Sequence, residues 1–388
     1  METHGDTDPR FERVRDAFRE NFVRRGELGS AVCVIVDGKP VVDLWGGVAD
    51  KISGRPWTAD TMAIVFSCTK AATALCAHLL VARGQLDLEA PVARYWPEFA
   101  AAGKERIVVR HLLNHQAGVP AIDQPLGAKA MFDWSTMTTA LAAQRPHWPP
   151  GSAHGYHAIT FGWLVGEVVR RIADKSLGAF FRDQVAGPLG LDFWIGVPAA
   201  LEARVATIRT PPLGQEPTPI MLAMLDRSTI TSKAFMNPPG LMRASEINAR
   251  AAHAAEIPAA NGIASARALA GMYAPLACGG RRDGVELIDR DTLTRMSAVE
   301  SEGDDRVLLI PTRFASGFMK TIDNRPGDSV ILGPNPEAFG HAGAGGSIGM
   351  ADPVAGVAIG YVMNQMGAGV LLNPRGQSLI DAVYDCLA

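Results

Sequence analysis

Apolar, β-branched runs lie near both ends of this 388-residue chain, and a long stretch of helix-like sequence separates them. Near the start, residues 31–36 and 41–45 flank the turn pair Asp37-Gly38, which is a strong hairpin signal. Near the end, four further runs predict strands: 307–310, 314–319, 347–352 and 354–364. This pattern favours an α+β fold. Strands from both termini would form one antiparallel sheet flanked by helices, and a mostly helical domain would be inserted between them.

The same pattern suggests two domains. We expect an α/β domain with the antiparallel sheet from residues 1–84 and 263–388, and a mostly helical domain from residues 85–262. Within the helical domain, residues 210–239 contain several prolines and no sustained period. That segment is therefore predicted to be a long loop, and loops of such length are often functional.

Composition excludes several classes of protein. Hydrophobic residues make up 47% of the chain and charged residues 20%, which is a globular composition. The formal net charge of −3 gives no basic field for nucleic acid. The five scattered cysteines lack the spacing of a disulfide framework or a zinc ribbon, and no apolar stretch is long enough to cross a bilayer. We therefore expect a cytoplasmic protein with no nucleic-acid or membrane partner, no metal and no cofactor.

The first motif that could carry chemistry is the tetrad Ser67-Cys68-Thr69-Lys70, which opens a predicted helix after an apolar run. Residues three apart share one face of a helix, so the Lys70 side chain can reach the Ser67 hydroxyl. A serine hydroxyl becomes a strong nucleophile only when a neighbouring base takes its proton. The free N–H groups of a helix start also favour negative charge near Ser67. In isolation, the tetrad favours the simpler interpretation of a helix cap and a solvated lysine.

Two further segments could lie beside Ser67 in an active site. Tyr156 lies in a proline- and glycine-rich loop ahead of a predicted helix. A phenol whose pKa is lowered by a neighbouring ammonium can shuttle protons. The glycine-rich segment 339–347 allows close approach of the backbone to a ligand, and an edge strand there could supply an N–H to an oxyanion hole. For a lone tyrosine, a structural role in anchoring the loop is the better explanation. The alternative for the glycine-rich segment is a flexible loop.

In this order along the chain, the Ser-x-x-Lys tetrad, Tyr156 and the segment His341-Ala342-Gly343 together resemble a known group of enzymes. The chain resembles the serine β-lactamase-like esterases called family VIII carboxylesterases, which are similar in fold to class C β-lactamases and penicillin-binding proteins. Segments 111–120 and 257–262 carry the same resemblance. It extends over nearly the whole chain.

This resemblance implies a serine esterase that hydrolyses short- to medium-chain carboxylic esters through an acyl-enzyme. Ser67 would be the nucleophile, with Lys70 and Tyr156 as its base and proton shuttle. The backbone N–H groups of Ser67 and Ala344 would form the oxyanion hole. Which of Lys70 and Tyr156 is the base stays open. The implied partner is a small-molecule ester, and a homo-oligomer is left open.

Four further residues are candidates for substrate binding. His341 and Gly343 occupy the place of the Lys-Thr-Gly motif of β-lactamases and penicillin-binding proteins. Trp148 and Phe339 flank the catalytic segments and could shape the pocket, although aromatic side chains more often belong to a core.

Two departures from the β-lactamase pattern favour neutral esters. Tyr156 is followed by His157 and Ala158, where such a β-lactamase carries Tyr-x-Asn. His341 stands where the β-lactamase has a lysine that helps to receive the β-lactam carboxylate. The alternatives that stay open are β-lactam hydrolysis, amide hydrolysis or acyl transfer on the same scaffold. A non-catalytic binding member of the fold is a further alternative.

A second serine also matches a catalytic pattern. Residues 345–349 fit Gly-x-Ser-x-Gly around Ser347. That pentapeptide marks a nucleophile only when a strand precedes it and a helix follows it. Here the following residues predict strand, turn and strand, so Ser347 is expected to be a strand residue near the pocket.

Overall fold

The computed structural model describes residues 2–211, 218–241, 243–325 and 329–388. The strands in these ranges are β1 Thr3–Thr7, β2 Gly29–Val36, β3 Lys39–Asp50, β4 Arg55–Pro56, β5 Ala63–Ile64, β6 Phe193–Trp194, β7 Ile263–Ala264, β8 Arg281–Arg282, β9 Val285–Glu286, β10 Ser301–Asp304, β11 Pro311–Phe314, β12 Met319–Lys320, β13 Phe339–Ala342, β14 Ile348–Asp352 and β15 Val357–Met363. The α-helices are α1 Glu12–Arg24, α2 Thr69–Ala82, α3 Val109–Leu113, α4 Trp134–Ala143, α5 Thr160–Ala173, α6 Leu177–Phe181, α7 Pro219–Leu225, α8 Ile230–Met236, α9 Ala244–Ile247, α10 Arg250–Ala254, α11 Ala266–Ala277, α12 Arg290–Ser297 and α13 Pro374–Leu387.

The main sheet joins the two ends of the chain. In the described part of the chain it has the strand order β1-β3-β2-β15-β14-β13-β12-β11-β10, with β4 paired to β3. All of these pairings are antiparallel. At the junction of the two ends, β15 pairs with β2, and Val357 lies opposite Val36. The predicted α+β fold, with one antiparallel sheet built from both termini, is confirmed.

Helices cover both faces of this sheet. Along β2, Ala31, Cys33 and Ile35 share a core with α11, whereas Val32 and Val34 share a second core with α1 and α13. This alternation follows from the two-residue period of a strand, and it explains why β2 is an almost continuous apolar run. The segment between the two sets of strands is mostly helical, with α2 packed against α5. The residue boundaries of the two predicted domains stay predictions.

The predicted loop at 210–239 is partly helical. Residues 212–217 lie outside the described ranges, but α7 and α8 fall within the rest of the segment. Each helix begins after a threonine that accepts a backbone N–H: Thr218 from Met221, and Thr229 from Ser232. At seven residues each, these helices are too short to show a clear helical period in the sequence.

The predicted strands 307–310 and 314–319 consist mainly of turns. Residues 306–310 do not form a strand, because the Asp305 carboxylate accepts the N–H groups of Val307 and Leu308 and curls the chain. Likewise, the predicted strand 314–319 is divided between β11 and β12 by a tight turn at Gly317, which has a φ of 86°. Val307 and Leu308 in the first segment and Ala315 and Phe318 in the second are buried, and such apolar residues make both segments resemble strands in sequence.

Candidate active site

Ser67 lies in a single 3₁₀ turn, Phe66–Cys68, between β5 and α2. Phe66 has a φ of 45°, a left-handed backbone conformation that costs free energy for a residue with a side chain and that clusters at functional sites. From Thr61 to Lys70, every residue other than Ser67 is buried. The turn therefore presents the Ser67 hydroxyl at the surface of an otherwise closed segment.

Lys70 lies on the first turn of α2 and is fully buried. Its Nζ is 3.1 Å from Ser67 Oγ, 2.7 Å from the carbonyl oxygen of Ala158 and 3.0 Å from that of Ala259. Burial lowers the pKa of Lys70 well below its usual value, and no carboxylate of the described residues offsets this effect. Lys70 therefore gives up its proton far more readily than a surface lysine does.

Tyr156 lies over the same lysine. The Lys70 Nζ is 4.5 Å from the centre of the phenol ring, and the ring stacks on Phe314 with centroids 6.0 Å apart. Burial raises the pKa of Tyr156, and hydrogen bonding with the Ser67 side chain opposes part of that rise. Ser67, Lys70 and Tyr156 thus meet around one hydroxyl, with the phenol neutral near pH 7.

Ala344 lies in the loop between β13 and β14, and every other residue from His341 to Met350 is buried. Neither Ser67 nor Ala344 donates its backbone N–H to an acceptor among the described residues. The loop is held at the carbonyl oxygen of Gly345, which accepts from Asn373 Nδ2 at 2.8 Å and from Arg375 Nη2 at 3.1 Å. Two fixed and unused N–H groups are what an oxyanion hole requires.

His341 lies on β13 beside the phenol, with the two ring centroids 6.1 Å apart. Its Nδ1 is 2.7 Å from the carbonyl oxygen of Ala342, so this nitrogen carries the proton. Within the described ranges, its buried Nε2 has no hydrogen-bond partner. Burial lowers the pKa of His341 to about 3, and the charge of Lys70 contributes to that shift. The imidazole is therefore uncharged at neutral pH.

The two aromatic candidates lie inside the protein. Trp148 is buried behind the loop that carries Tyr156, where its ring meets His157 edge-on and Arg306 lies over it. Phe339 is fully buried and packs edge-on against Phe318, with centroids 5.1 Å apart.

The glycine and serine candidates of the 343–347 loop are also buried. Gly343 packs against the backbone of Val65, next to the Ser67 turn. Ser347 is fully buried and is followed by strand β14, as the sequence predicts.

Two polar side chains beside Tyr156 were missed from the sequence. Asp305 accepts the backbone N–H of Tyr156, and His115 accepts that of His157. Asp305 is 149 positions from Tyr156 in the chain, so no local pattern connects the two residues. The sequence shows His115 only as part of the segment 111–120, and the residue pattern of that segment does not indicate a contact with His157.

The described residues contain no group of three or more His, Cys, Asp or Glu side chains arranged to hold a metal ion. Across the same ranges, no helix combines the length and the apolar character needed to cross a membrane.

Comparison with known proteins places this geometry in a family. The protein-family profile described as Beta-lactamase matches residues 14–382. The chain belongs to the beta-lactamase family. Within that family, it is 40% identical over 367 residues to "Esterase/beta-lactamase LipL" from Mycobacterium tuberculosis (strain ATCC 25618 / H37Rv), an alignment that covers 93% of this chain and 83% of that protein.

Solved structures support the same family assignment. A crystal structure of a family VIII carboxylesterase has a TM-score of 0.90 and 39% sequence identity, and the match covers 100% of both chains. EstA from Arthrobacter nitroguajacolicus Rue61a has a TM-score of 0.86 and 32% identity, with 100% of this chain and 99% of that one covered. These findings confirm the resemblance to family VIII carboxylesterases, and the chain is a hydrolase of the esterase/β-lactamase fold.

Proposed function

We propose that this protein hydrolyses short- to medium-chain carboxylic esters through an acyl-enzyme on Ser67. The observation that carries the proposal is the 3.1 Å contact between the Ser67 hydroxyl and the buried amine of Lys70. The similarity to proteins named as esterases supports ester hydrolysis within the wider family. A small-molecule ester as the binding partner and a cytoplasmic location belong to the same proposal.

The contacts of Lys70 support its neutral amine as the base. Two of them are carbonyl oxygens, which only accept, so they use both N–H groups of a neutral amine. The lone pair is then left for the Ser67 hydroxyl. Lys104 provides the contrast, because its Nζ contacts three carbonyl oxygens at 2.7, 2.8 and 2.6 Å and so uses all three donors of an ammonium group.

Acylation follows from these positions. Ser67 Oγ attacks the ester carbonyl carbon while its proton passes to Lys70 Nζ. The carbonyl oxygen, now negative, accepts hydrogen bonds from the N–H groups of Ser67 and Ala344. When the C–O bond breaks, the alcohol takes a proton from the Tyr156 phenol, and the Lys70 ammonium returns a proton to Tyr156.

Deacylation repeats these steps with water as the nucleophile. A water molecule attacks the acyl carbon and gives one proton to Lys70. The new tetrahedral centre then collapses, the acid leaves, and Ser67 regains its hydroxyl proton through Tyr156 and Lys70. Each turnover consumes one ester and one water, and it releases one alcohol and one acid.

The charge state of His341 supports neutral substrates. Since its pKa is lowered to about 3, the imidazole offers no positive charge to a substrate carboxylate at neutral pH. A cation in a desolvated site can contribute strongly to binding a carboxylate, so its lack weakens binding of β-lactams and favours uncharged esters. We therefore expect β-lactam hydrolysis to be a weak side activity.

The decisive experiment compares Ser67→Ala with Ser347→Ala on a short-chain nitrophenyl ester. Loss of the nucleophile should lower kcat on the order of 10³-fold or more, whereas Ser347→Ala should keep turnover. A fluorophosphonate should add to Ser67, as seen by mass spectrometry of the digested protein. Retained turnover in Ser67→Ala with loss in Ser347→Ala would reverse the assignment of the nucleophile. Absence of an adduct on Ser67 would favour a non-catalytic protein.

A substrate panel then separates the chemistries that share an acyl-enzyme. Nitrophenyl esters of increasing chain length, the matching anilides and a chromogenic cephalosporin distinguish ester, amide and β-lactam hydrolysis. Product analysis with an added alcohol distinguishes water from another acyl acceptor. We expect the esters to be turned over fastest and water to be the main acceptor.

A further inference from the structure

The loop that carries Tyr156 offers two consecutive backbone N–H groups to side chains from distant parts of the chain. The Tyr156 nitrogen is 3.0 and 3.1 Å from the two carboxylate oxygens of Asp305. The next nitrogen, that of His157, is 3.1 Å from Nδ1 of His115. Both acceptors are buried, so solvent does not compete for these hydrogen bonds.

The Asp305 carboxylate is itself firmly held. Its Oδ1 also accepts from the backbone nitrogens of Val307 and Leu308, each at 2.8 Å, and its Oδ2 accepts from Thr312 Oγ1 at 3.1 Å. A buried carboxylate is tolerated only when its oxygens are hydrogen-bonded in this way. The turn at 305–308 and the start of β11 thereby hold the carboxylate that binds the Tyr156 backbone N–H.

His115 holds the next residue of the same loop, His157. Because its Nδ1 accepts a backbone N–H, that nitrogen is unprotonated. Burial keeps the pKa of His115 well below its usual value, which preserves this acceptor. The imidazole also packs on the phenol, with centroids 5.1 Å apart, and on Phe314 at 4.5 Å. The phenol is thus fixed through its backbone and along its ring.

We propose that Asp305 and His115 are positioning residues that hold the backbone of residues 156–157, so that the Tyr156 phenol stays beside Ser67. The proposal rests on the proposed function, because it assigns these two residues to the proton transfer at Ser67. Both act through Tyr156. A displacement of about 1 Å in such a constellation can lower the rate on the order of 10²-fold.

The test uses the full-length protein and compares Asp305→Ala, Asp305→Asn and Tyr156→Phe on a short-chain nitrophenyl ester. Asp305→Ala should lower kcat about 10²-fold with little change in KM, because the groups that would bind the substrate are unchanged. Asp305→Asn keeps an oxygen that can accept the Tyr156 N–H, so it should recover most of the lost rate. In a Tyr156→Phe background, Asp305→Ala should have only a small further effect, since the group that it positions is already gone.

The same logic applies to His115. His115→Ala should lower kcat in the same way, and His115→Asn should restore much of it. Asparagine places an acceptor oxygen near the position of Nδ1 and tolerates the φ of 65° found at residue 115.

Glu167 provides the matched control for a general loss of stability. It is a buried carboxylate on α5 that accepts from Trp134 Nε1 at 2.7 Å and from the Arg170 and Arg171 guanidinium groups, away from the Tyr156 loop. Glu167→Ala should lower the melting temperature and leave kcat per folded molecule unchanged. The positioning role is overturned if Asp305→Ala lowers kcat no more than Glu167→Ala does, or by the same factor with and without the phenol. Retained turnover in Ser67→Ala, run alongside, would instead overturn the proposed function.

Discussion

Gly343 lies so close to Val65 that a Cβ atom on residue 343 would be 2.3 Å from the Val65 carbonyl oxygen. Val65 precedes the Ser67 turn by one residue, and Gly343 immediately precedes Ala344. The backbone φ of Gly343 is one that any residue adopts, so glycine is needed here for space alone. This contact fixes the spacing between the Ser67 turn and the loop of Ala344, which carry the two N–H groups of the proposed oxyanion hole.

Gly343→Ala should therefore lower turnover. The added methyl group must push the 343–345 loop away from the Ser67 turn, and loss of one oxyanion donor typically lowers kcat about 10²- to 10³-fold. Steady-state kinetics on a nitrophenyl ester would measure the effect. Gly127→Ala is the control, because a Cβ at that position meets nothing within 4 Å. If Gly343→Ala turns over within about threefold of the wild type, this loop does not set the oxyanion hole.

Lys70→Met and Lys104→Met form a second matched pair. Both lysines are buried and donate to backbone carbonyl groups, but only Lys70 contacts a hydroxyl. Lys70→Met should lower kcat about 10²- to 10⁴-fold, since the proposed base is removed. Lys104→Met should lower the melting temperature through unsatisfied carbonyl groups and keep kcat per folded molecule. Equal kinetic losses in the two variants would argue against Lys70 as the base.

Stability should fall in mild acid because of buried histidines. Burial lowers the pKa of His78, His157 and His341 to about 4, 3 and 3. Below pH of about 6.5 the unfolded chain binds protons at these residues, whereas the folded protein does not. Their contribution to stability is therefore complete above pH of about 6.5. It is lost as the pH falls toward about 4 for His78 and about 3 for His157 and His341, at up to about 1.4 kcal/mol per histidine and pH unit.

Urea unfolding at pH 7 and pH 5 would test this expectation. In His78→Gln, the amide nitrogen can still donate to the Ser316 carbonyl oxygen, which His78 Nε2 reaches at 2.9 Å. This variant should lose less stability between the two pH values than the wild type does. An unchanged difference would show that His78 is not one of the groups responsible.

The buried ion pair between Glu27 and Arg375 should be costly to break. Arg375 Nη1 is 2.9 Å from Glu27 Oε1, and Nη2 reaches the carbonyl oxygen of Gly345 in the loop that carries Ala344. Arg375→Met leaves a buried carboxylate without its cation, which should lower the free energy of unfolding by about 3–5 kcal/mol. Adding Glu27→Gln should recover part of that loss. A double variant no more stable than Arg375→Met alone would contradict this account.

Local patterns were sufficient to predict much of the fold. The hairpin of β2 and β3 follows from two β-rich runs around Asp37-Gly38, and α2 follows from its apolar content and the Gly84 that ends it. The tetrad spacing alone brings Lys70 into reach of Ser67, and the structure has that contact. These features depend on residues that are neighbours in the chain.

The remaining features depend on hydrogen bonds that a pattern of apolar residues does not reveal. The apolar run 307–310 has the composition of a strand, but the Asp305 carboxylate takes the N–H groups that a strand would need for its neighbour. The hydrogen bond from the Tyr156 backbone to Asp305 joins residues 149 positions apart. No window of the sequence contains both partners, so pattern analysis could identify Tyr156 but not what holds it.

The pairing of β15 with β2 has a consequence for how the protein is made. Translation delivers β2 early, yet its neighbour in the sheet, β15, ends at residue 363. Pairings of such high contact order form late, so we expect the nascent polypeptide on the ribosome to form hairpins and helices before the sheet is complete. We therefore expect the chain to be inactive until β15 has been synthesised, and a chain that stops before this strand should expose an unpaired apolar edge to quality-control proteases.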